Sequence, residues 1–251
     1  MVYFVGAGSG APDLITIRGA RLLSEADIII YTGSLVNPEL LSYAKKDCRI
    51  FNSAKMTLDE VIDVIKRAEG ERKTTVRLHT GDPCLYGAVR EQFDALFKLG
   101  IEFSVCPGVS SFSAAAASLK AEYTLPGVSQ SVIITRAAGR TPVPDAQSVR
   151  ALSAHKATMV IFLSASLCES LQSELILGGW SEDTPAAVVY KASWPDEKIL
   201  RCSVGTLYDT VRRNNIEKTA LIIVGNVLGD EYLRSLLYDP AFSTEYREAK
   251  K

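Results

Sequence analysis

The stretch VYFVGAG at Val2–Gly8, running straight into SGAPDLITIRGARLL, constrains the fold more than any other part of the chain. Val2, Tyr3, Phe4 and Val5 form an unbroken apolar run, as expected of a parallel strand buried on both faces. Gly6, Gly8 and Gly10 follow at once. A backbone without Cβ atoms can turn sharply there and approach a ligand closely. A turn of this kind at the carboxyl end of a strand is where open α/β sheets bind small molecules.

Gly6-x-Gly8-x-x-Ala11 fits the dinucleotide fingerprint G-x-G-x-x-G/A, a weak motif when it stands alone. Two features oppose that reading. Pro12 and Asp13 delay the next helix to about Thr16, so its N-terminus does not aim at a pyrophosphate held in the glycine turn. The next strand, Asp27–Tyr31, ends in Tyr31-Thr32-Gly33 and offers no acidic residue for ribose hydroxyls. A tight βα turn that binds nothing is the plainer alternative.

At 251 residues the chain has room for one large or two modest domains, and 47% hydrophobic residues mark it as globular. A net charge of −1 leaves no electrostatic footprint for nucleic acid. No apolar run reaches membrane-spanning length, and Met1 leads directly into the first strand, so a cytoplasmic protein is expected. Cys48, Cys84, Cys106, Cys168 and Cys202 are widely spaced, without C-x-x-C, and read as reduced thiols. His79 and His155 are the only histidines, too few for a His-rich metal site, and no metal is expected.

Strand and helix patterns alternate through the first half. The expected strands are Val2–Val5, Asp27–Tyr31, Arg49–Phe51, Thr74–His79 and Glu102–Val105. Helices are expected at Thr16–Ser24, Pro38–Tyr43, Thr57–Ala68 and Ala88–Leu99. Thr57 with Glu60 three residues on is a capping-box pattern, and Gly100 suits a helix C-cap. Repeated βα units of this kind give an α/β domain, residues 1–121, with a mostly parallel sheet. An alanine-rich helix, Ser111–Leu119, and a turn-rich stretch containing Pro126-Gly127 lead into a second α/β domain, residues 122–251. Its expected strands are Ser131–Thr135, Thr158–Leu163, Ala186–Tyr190, Ile199–Ser203 and Ala220–Val224, in a mixed sheet. Helices are expected at Leu167–Leu177 and Thr206–Asn214, and Pro142-Val143-Pro144 marks a long connection. The charged segment Glu245–Lys251 is expected to fray.

Two further turns follow strands. Thr80-Gly81-Asp82-Pro83-Cys84-Leu85-Tyr86-Gly87 sits at the same sheet edge as the first glycine turn. Asp82 there is a candidate ligand contact, against the alternative of an Asp-Pro that only shapes its own turn. Pro107-Gly108-Val109-Ser110-Ser111 offers a serine to cap the alanine-rich helix. A nucleophilic serine is not indicated, because there is no G-x-S-x-G elbow. The three turns suit a nucleoside-type ligand, and the lack of a P-loop lysine disfavours ATP hydrolysis.

GAGSGAPDLITIRGARLLSEADIIIY, RLHTGDPCLYG and CPGVSSFSAAAA together resemble the tetrapyrrole methylase superfamily, the class III S-adenosylmethionine-dependent methyltransferases. SVIITR, TMVIFLSA, TPAAVVYKAS and TALIIVG extend the resemblance over nearly the whole chain. FNSAKMTLDEV and LPGVSQSVIITRAAGRTPVP, followed by HKATMVIFLSA, are similar to the branch acting on corrin precursors. The resemblance implies a two-domain α/β protein, usually a homodimer, with the methyl donor bound between the domains. It implies methyl transfer from S-adenosylmethionine to C-11 of precorrin-4 or cobalt-precorrin-4, with S-adenosylhomocysteine as product. Carried over position by position, the donor contacts are Ser9, Gly81, Asp82, Leu85, Tyr86, Ser110, Ser111, Leu163, Ala187 and Ala220. The last three read as ordinary strand residues without the resemblance. The sequence departs from the common GAGPGDP form at Ser9 and Ala11, and Ala11 cannot serve as the aspartate it replaces.

An activated sulfonium methyl leaves the protein mainly a positioning task, so no dominant catalytic base is expected. The acetates and propionates of such an acceptor call for cations. Arg18, Lys55, Arg90, Arg136, Arg140 and Lys191 are the candidates, each of which also reads as a solvated surface charge. Whether the acceptor carries cobalt stays open. So do an RNA or protein methylase of the same superfamily, an NAD-dependent oxidoreductase, and a non-catalytic nucleotide-binding module.

Overall fold

The computed structural model describes residues 1–249. The chain divides into two compact units. Unit 1 holds Met1–Ala114 together with Lys191–Glu197, and unit 2 holds Ala115–Tyr190 and the described chain from Lys198 onward.

In unit 1 the strands are β1 (Val2–Gly6), β2 (Ile28–Tyr31), β3 (Arg49–Asn52), β4 (Thr75–His79) and β5 (Phe103–Cys106). They lie in the order β3-β2-β4-β1-β5, and every pairing is parallel. Both faces of the sheet are covered. Val5, Ile29, Val76 and Leu78 pack with Leu22 and Leu23 of α1 (Ile17–Glu25). On the other face Phe4, Ile28 and Ile30 pack with Val61 and Ile65 of α2 (Leu58–Gly70) and Leu96 of α3 (Arg90–Leu99). Two-sided burial is why β1 and β2 read as continuous apolar runs. Phe4, fully buried and edge-on to Phe93 at 4.7 Å, contributes roughly 1.5–3 kcal/mol by burial.

The helix ends follow the sequence signals. Thr16 caps α1 by accepting from Gly19 N at 3.0 Å, so the helix begins eleven residues after β1 ends. Thr57 and Glu60 form the expected capping box, and Gly100 ends α3 with a left-handed φ of 66°. Pro38–Tyr43, expected as a helix, is a 3₁₀ helix capped by the Asn37 side chain.

The chain passes from unit 1 to unit 2 within α4 (Ser111–Leu119). The second sheet is built from β6 (Val132–Arg136), β7 (Thr158–Phe162), β8 (Pro185–Tyr190), β9 (Lys198–Ser203) and β10 (Ala220–Val224). The order is β6-β7-β10-β8-β9, with β6 and β7 parallel and the other pairs antiparallel, so the sheet is mixed. Sequence reading missed α5 (Val149–Ser153), a short helix capped by Ser148 within the long connection. One face of the sheet packs Met159, Ile161, Val188 and Ile222 against α6 (Cys168–Leu177) and α7 (Leu207–Arg213).

Of the segment expected to fray, Lys250 and Lys251 lie outside the described residues. The described part is tied down. Arg247 donates to the carbonyls of Leu237 at 3.0 Å and Asp239 at 2.6 Å. No helix among the described residues is long and apolar enough to cross a membrane.

Candidate functional site

Strand order brings the three sequence-predicted turns together. β4, β1 and β5 are neighbours, so the segments after them leave the same edge of the unit 1 sheet side by side. The turns are then joined through their backbones. Gly8 N donates to Gly81 O at 3.2 Å and Gly81 N to Gly8 O at 3.0 Å, a short antiparallel bridge, while Ala7 N donates to His79 O at 2.7 Å.

The glycines serve this joining. A Cβ on Gly6 would stand 2.6 Å from Gly108 Cα and 2.6 Å from Gly81 O, and one on Gly108 would overlap Gly81 O. Gly8 has a left-handed φ of 81°, and a side chain there would meet Leu14 O at 2.7 Å. Sequence reading took these positions as places for a ligand to approach. The space a side chain would fill is occupied by the neighbouring turns.

Asp82 is the clasp between two of them. One carboxylate oxygen accepts from Cys84 N at 2.8 Å, the turn-shaping bond typical of Asp-Pro, and the other accepts from Gly108 N at 2.8 Å. Burial pushes its pKa up, but the bonds from Cys84 and Gly108 outweigh that and hold the carboxyl below its ordinary value. Asp82 is therefore charged and committed to the protein's own backbone.

Tyr86 is exposed and has a φ of 53°, and Ala88 has a φ of 47°, so this turn holds two non-glycine residues in the left-handed region. A buried chain supports it from below. Arg77 Nε donates to Gln92 Oε1 at 3.1 Å, Gln92 Nε2 to Ala88 O at 3.0 Å, and Arg77 Nη1 to Ile30 O at 3.1 Å. Burial lowers the Arg77 pKa to about 10. His79, at the end of β4, is 2% exposed and stacks on Phe4, and its Nε2 has no partner among the described residues. Burial, followed by the charge of Arg77, lowers its pKa to about 3, so it is neutral at physiological pH.

The remaining expected donor contacts divide. Ser9 is buried, with its hydroxyl 2.9 Å from that of Ser193. Leu85 N closes a turn on Asp82 O at 3.3 Å. Ser110 is buried and its carbonyl accepts from Ser113 N at 3.1 Å, which places it at the start of α4, with Ser111 as the first helical residue. In unit 2, Leu163 follows β7 with a φ of 53° and is 64% exposed. Ala187 is fully buried in β8, and Ala220 opens β10 opposite Tyr190.

The six expected cations also divide. Arg18, Lys55 and Arg140 are exposed, with no ion-pair partner among the described residues. Arg90 pairs with Asp94 at 2.8 Å, and Lys191 with Asp196 at 2.6 Å. The Arg136 guanidinium donates to the carbonyls of Ala137, Thr141 and Pro142, so it braces its own loop.

The edge formed by these turns offers no cationic side chain. Residues 7–16, 80–89 and 107–110 contain neither lysine nor arginine. Thr32, where a dinucleotide site needs an acid, instead meets the Thr80 hydroxyl at 3.2 Å. The indole of Trp194 fills the side-chain space at Gly10. With Thr32 in place of the acid and the Trp194 indole against Gly10, these residues do not match a dinucleotide site.

The structure is that of a two-unit α/β protein, with a parallel sheet that gathers its glycine corners at one edge followed by a mixed-sheet unit. The chain belongs to the tetrapyrrole (corrin/porphyrin) methylases, whose family model matches residues 1–208. It is 55% identical over 251 residues to a cobalt-precorrin-4 C(11)-methyltransferase of Methanocaldococcus jannaschii, covering 100% of this chain and 97% of that protein. Among solved structures it is similar to a cobalamin biosynthetic enzyme, cobalt precorrin-4 methyltransferase. The TM-score is 0.89 at 46% identity, over 91% of this chain and 96% of the other. It is also similar to uroporphyrin-III C-methyltransferase from Thermus thermophilus complexed with S-adenyl homocysteine. There the TM-score is 0.74 at 25% identity, over 91% and 93% of the two chains.

Sequence reading missed Ser193, Trp194, Asn37 and the Arg77–Gln92 support. A Trp-Pro pair in a short, mostly polar connection was the one signal available for Trp194.

Proposed function

We propose that this chain is a C-methyltransferase that moves the S-methyl group of S-adenosylmethionine to C-11 of cobalt-precorrin-4. The observation that carries the reading is the interlocked edge of unit 1, where the turns after β1, β4 and β5 meet. The likeness over the whole chain to a protein named for that reaction supports it. The donor supplies a methyl already activated by its positive sulfur, with a neutral thioether as leaving group.

The protein's own contribution is geometric. The turns at residues 80–86 and 110–111 hold the donor's nucleoside, with the exposed Tyr86 ring beside it. Fixing the donor and the attacking carbon in near-attack geometry supplies on the order of 7–11 kcal/mol in the best model systems. His79 takes no part in proton transfer, since its low pKa and burial keep it neutral and away from solvent. Arg18, Lys55 and Arg140 are the cations left to meet acceptor carboxylates. Leu163 is kept as a proposed donor contact because the family resemblance points to it and it stands exposed directly after β7. A homodimer in the cytoplasm is proposed as its setting.

Incubation with cobalt-precorrin-4 and donor carrying a ¹³C-methyl group tests the reading. The label is expected on C-11. A label on another ring carbon, or no transfer by folded protein, overturns it.

A further inference from the structure

The first glycine turn is held by a segment remote in sequence. Residues 191–197 connect β8 to β9, yet they belong to unit 1. Ser193 Oγ accepts from Ala11 N at 3.0 Å and shares a 2.9 Å hydrogen bond with Ser9 Oγ. Trp194 Nε1 donates to Ser9 O at 3.2 Å. Asn37 Nδ2 donates to Gly10 O at 2.9 Å. A Cβ on Gly10, whose φ is 157°, would overlap the Trp194 indole. The hydroxyl and carbonyl of Ser9, the carbonyl of Gly10 and the amide of Ala11 are therefore all satisfied by side chains from outside the turn.

The segment that supplies two of these side chains is itself set under constraint. Lys191 has a φ of 48° and Ser193 a φ of 67°, conformations that disfavour residues with a Cβ. Ser193 N donates to Glu197 Oε2 at 2.6 Å, and Trp194 N to Lys191 O at 3.0 Å. The Lys191 ammonium reaches Asp196 at 2.6 Å and sits 5.5 Å from the centre of the Trp194 ring. Backbone strain of this kind persists only where the surroundings over-determine it. Here they fix the hydroxyl and the indole against the turn.

We propose that Ser193 and Trp194 are positioning residues for methyl transfer, setting the backbone of Ser9–Gly10–Ala11 so that the turn is formed before the donor arrives. The kinetic part of this inference rests on the methyltransferase reading above, and the structural part does not.

The test uses the full-length protein and two readouts. Ser193→Ala and Ser193→Gly both remove the hydroxyl, but glycine also relieves the left-handed backbone. Trp194→Phe keeps the ring and removes the N–H. Each variant is expected to raise the KM for S-adenosylmethionine, about tenfold for the Ser193 variants and about threefold for Trp194→Phe, with kcat within twofold. Hydrogen exchange of the peptide spanning residues 7–14 is expected to quicken in each. Gly10→Ala is expected to raise the same KM in the parent, and by a smaller factor in a Trp194→Ala background, where the clash with the indole is gone and only the backbone strain at φ 157° remains.

Equal KM values and equal exchange in Ser193→Gly and the parent overturn the proposal, as does a KM effect seen only in Ser193→Ala, which indicates backbone strain alone. Quickened exchange in a protein that transfers no methyl group leaves the positioning role standing and removes the methyltransferase reading. Unchanged exchange in an active enzyme does the reverse.

Discussion

The two sheets of this molecule have the same number of strands and different consequences. In unit 1 all five strands run parallel, so every carboxyl end points the same way and the turns after β1, β4 and β5 emerge side by side. In unit 2, β6, β7 and β8 run one way and β9 and β10 the other, so the connections after β6, β7 and β8 leave one edge and the chain leaves β9 and β10 at the opposite edge. A parallel sheet concentrates its turns at one edge, and there they can be fastened to one another. A mixed sheet divides them between two edges. Candidate chemistry is correspondingly dense in unit 1, whereas unit 2 contributes isolated positions such as Leu163.

The largest expected effect comes from the glycines. Gly108→Ala places a methyl against the carbonyl of Gly81, and a loss of about 4 kcal/mol or outright failure to fold is expected. Gly139→Ala in unit 2 meets only the flexible end of Leu167 at 3.0 Å and should change stability by about 0.5 kcal/mol or less. Equal effects in urea unfolding would erase the contrast between the two units.

Asp82→Ala comes next. It strips acceptors from Cys84 N and Gly108 N, and a loss of about 2 kcal/mol is expected, together with weaker donor binding. Unchanged stability would show that Asp82 does not fasten the turns. Unchanged donor affinity in calorimetry would remove the turns from the donor site.

His79 sharpens the comparison through pH. Its folded pKa of about 3 lies below the ordinary 6.5, so the unfolded chain binds the proton first. Stability present above pH 6.5 is lost as pH falls toward 3, by about 1.4 kcal/mol per unit while the folded form stays neutral. His79→Leu should flatten that limb between pH 6.5 and 4.5 relative to the parent. Parallel curves would mean that His79 protonates freely in the folded state. A small effect is also expected for Leu163→Gly, which relieves the left-handed backbone and should leave stability within about 1 kcal/mol of the parent or raise it slightly. Unaltered donor affinity in that variant would withdraw Leu163 from the proposed contacts.

Much of this was legible in the sequence because the signals were local. Apolar runs such as Ile28–Tyr31 announce two-sided burial, and Thr57 with Glu60 announces a helix start within four residues. The three turns could be placed at one edge because each follows a strand of the same parallel set. Asp82 was half legible. Its Asp-Pro setting forecast the bond to Cys84, but its bond to Gly108 depends on which strands are neighbours. Arg136 ends a strand as expected, yet its guanidinium turns back on its own loop, a choice made by three carbonyls and not by charge pattern. Ser9 and Ser193 stand 184 positions apart, and no periodicity or motif links them.

The claim on which the rest depends is that the joined turns of unit 1 receive the donor. Hydrogen exchange of the intact protein with and without S-adenosylhomocysteine tests it most directly. The account predicts slowed exchange concentrated in peptides spanning residues 80–86 and 107–111. Binding that leaves those peptides untouched, or no binding at all, would contradict it.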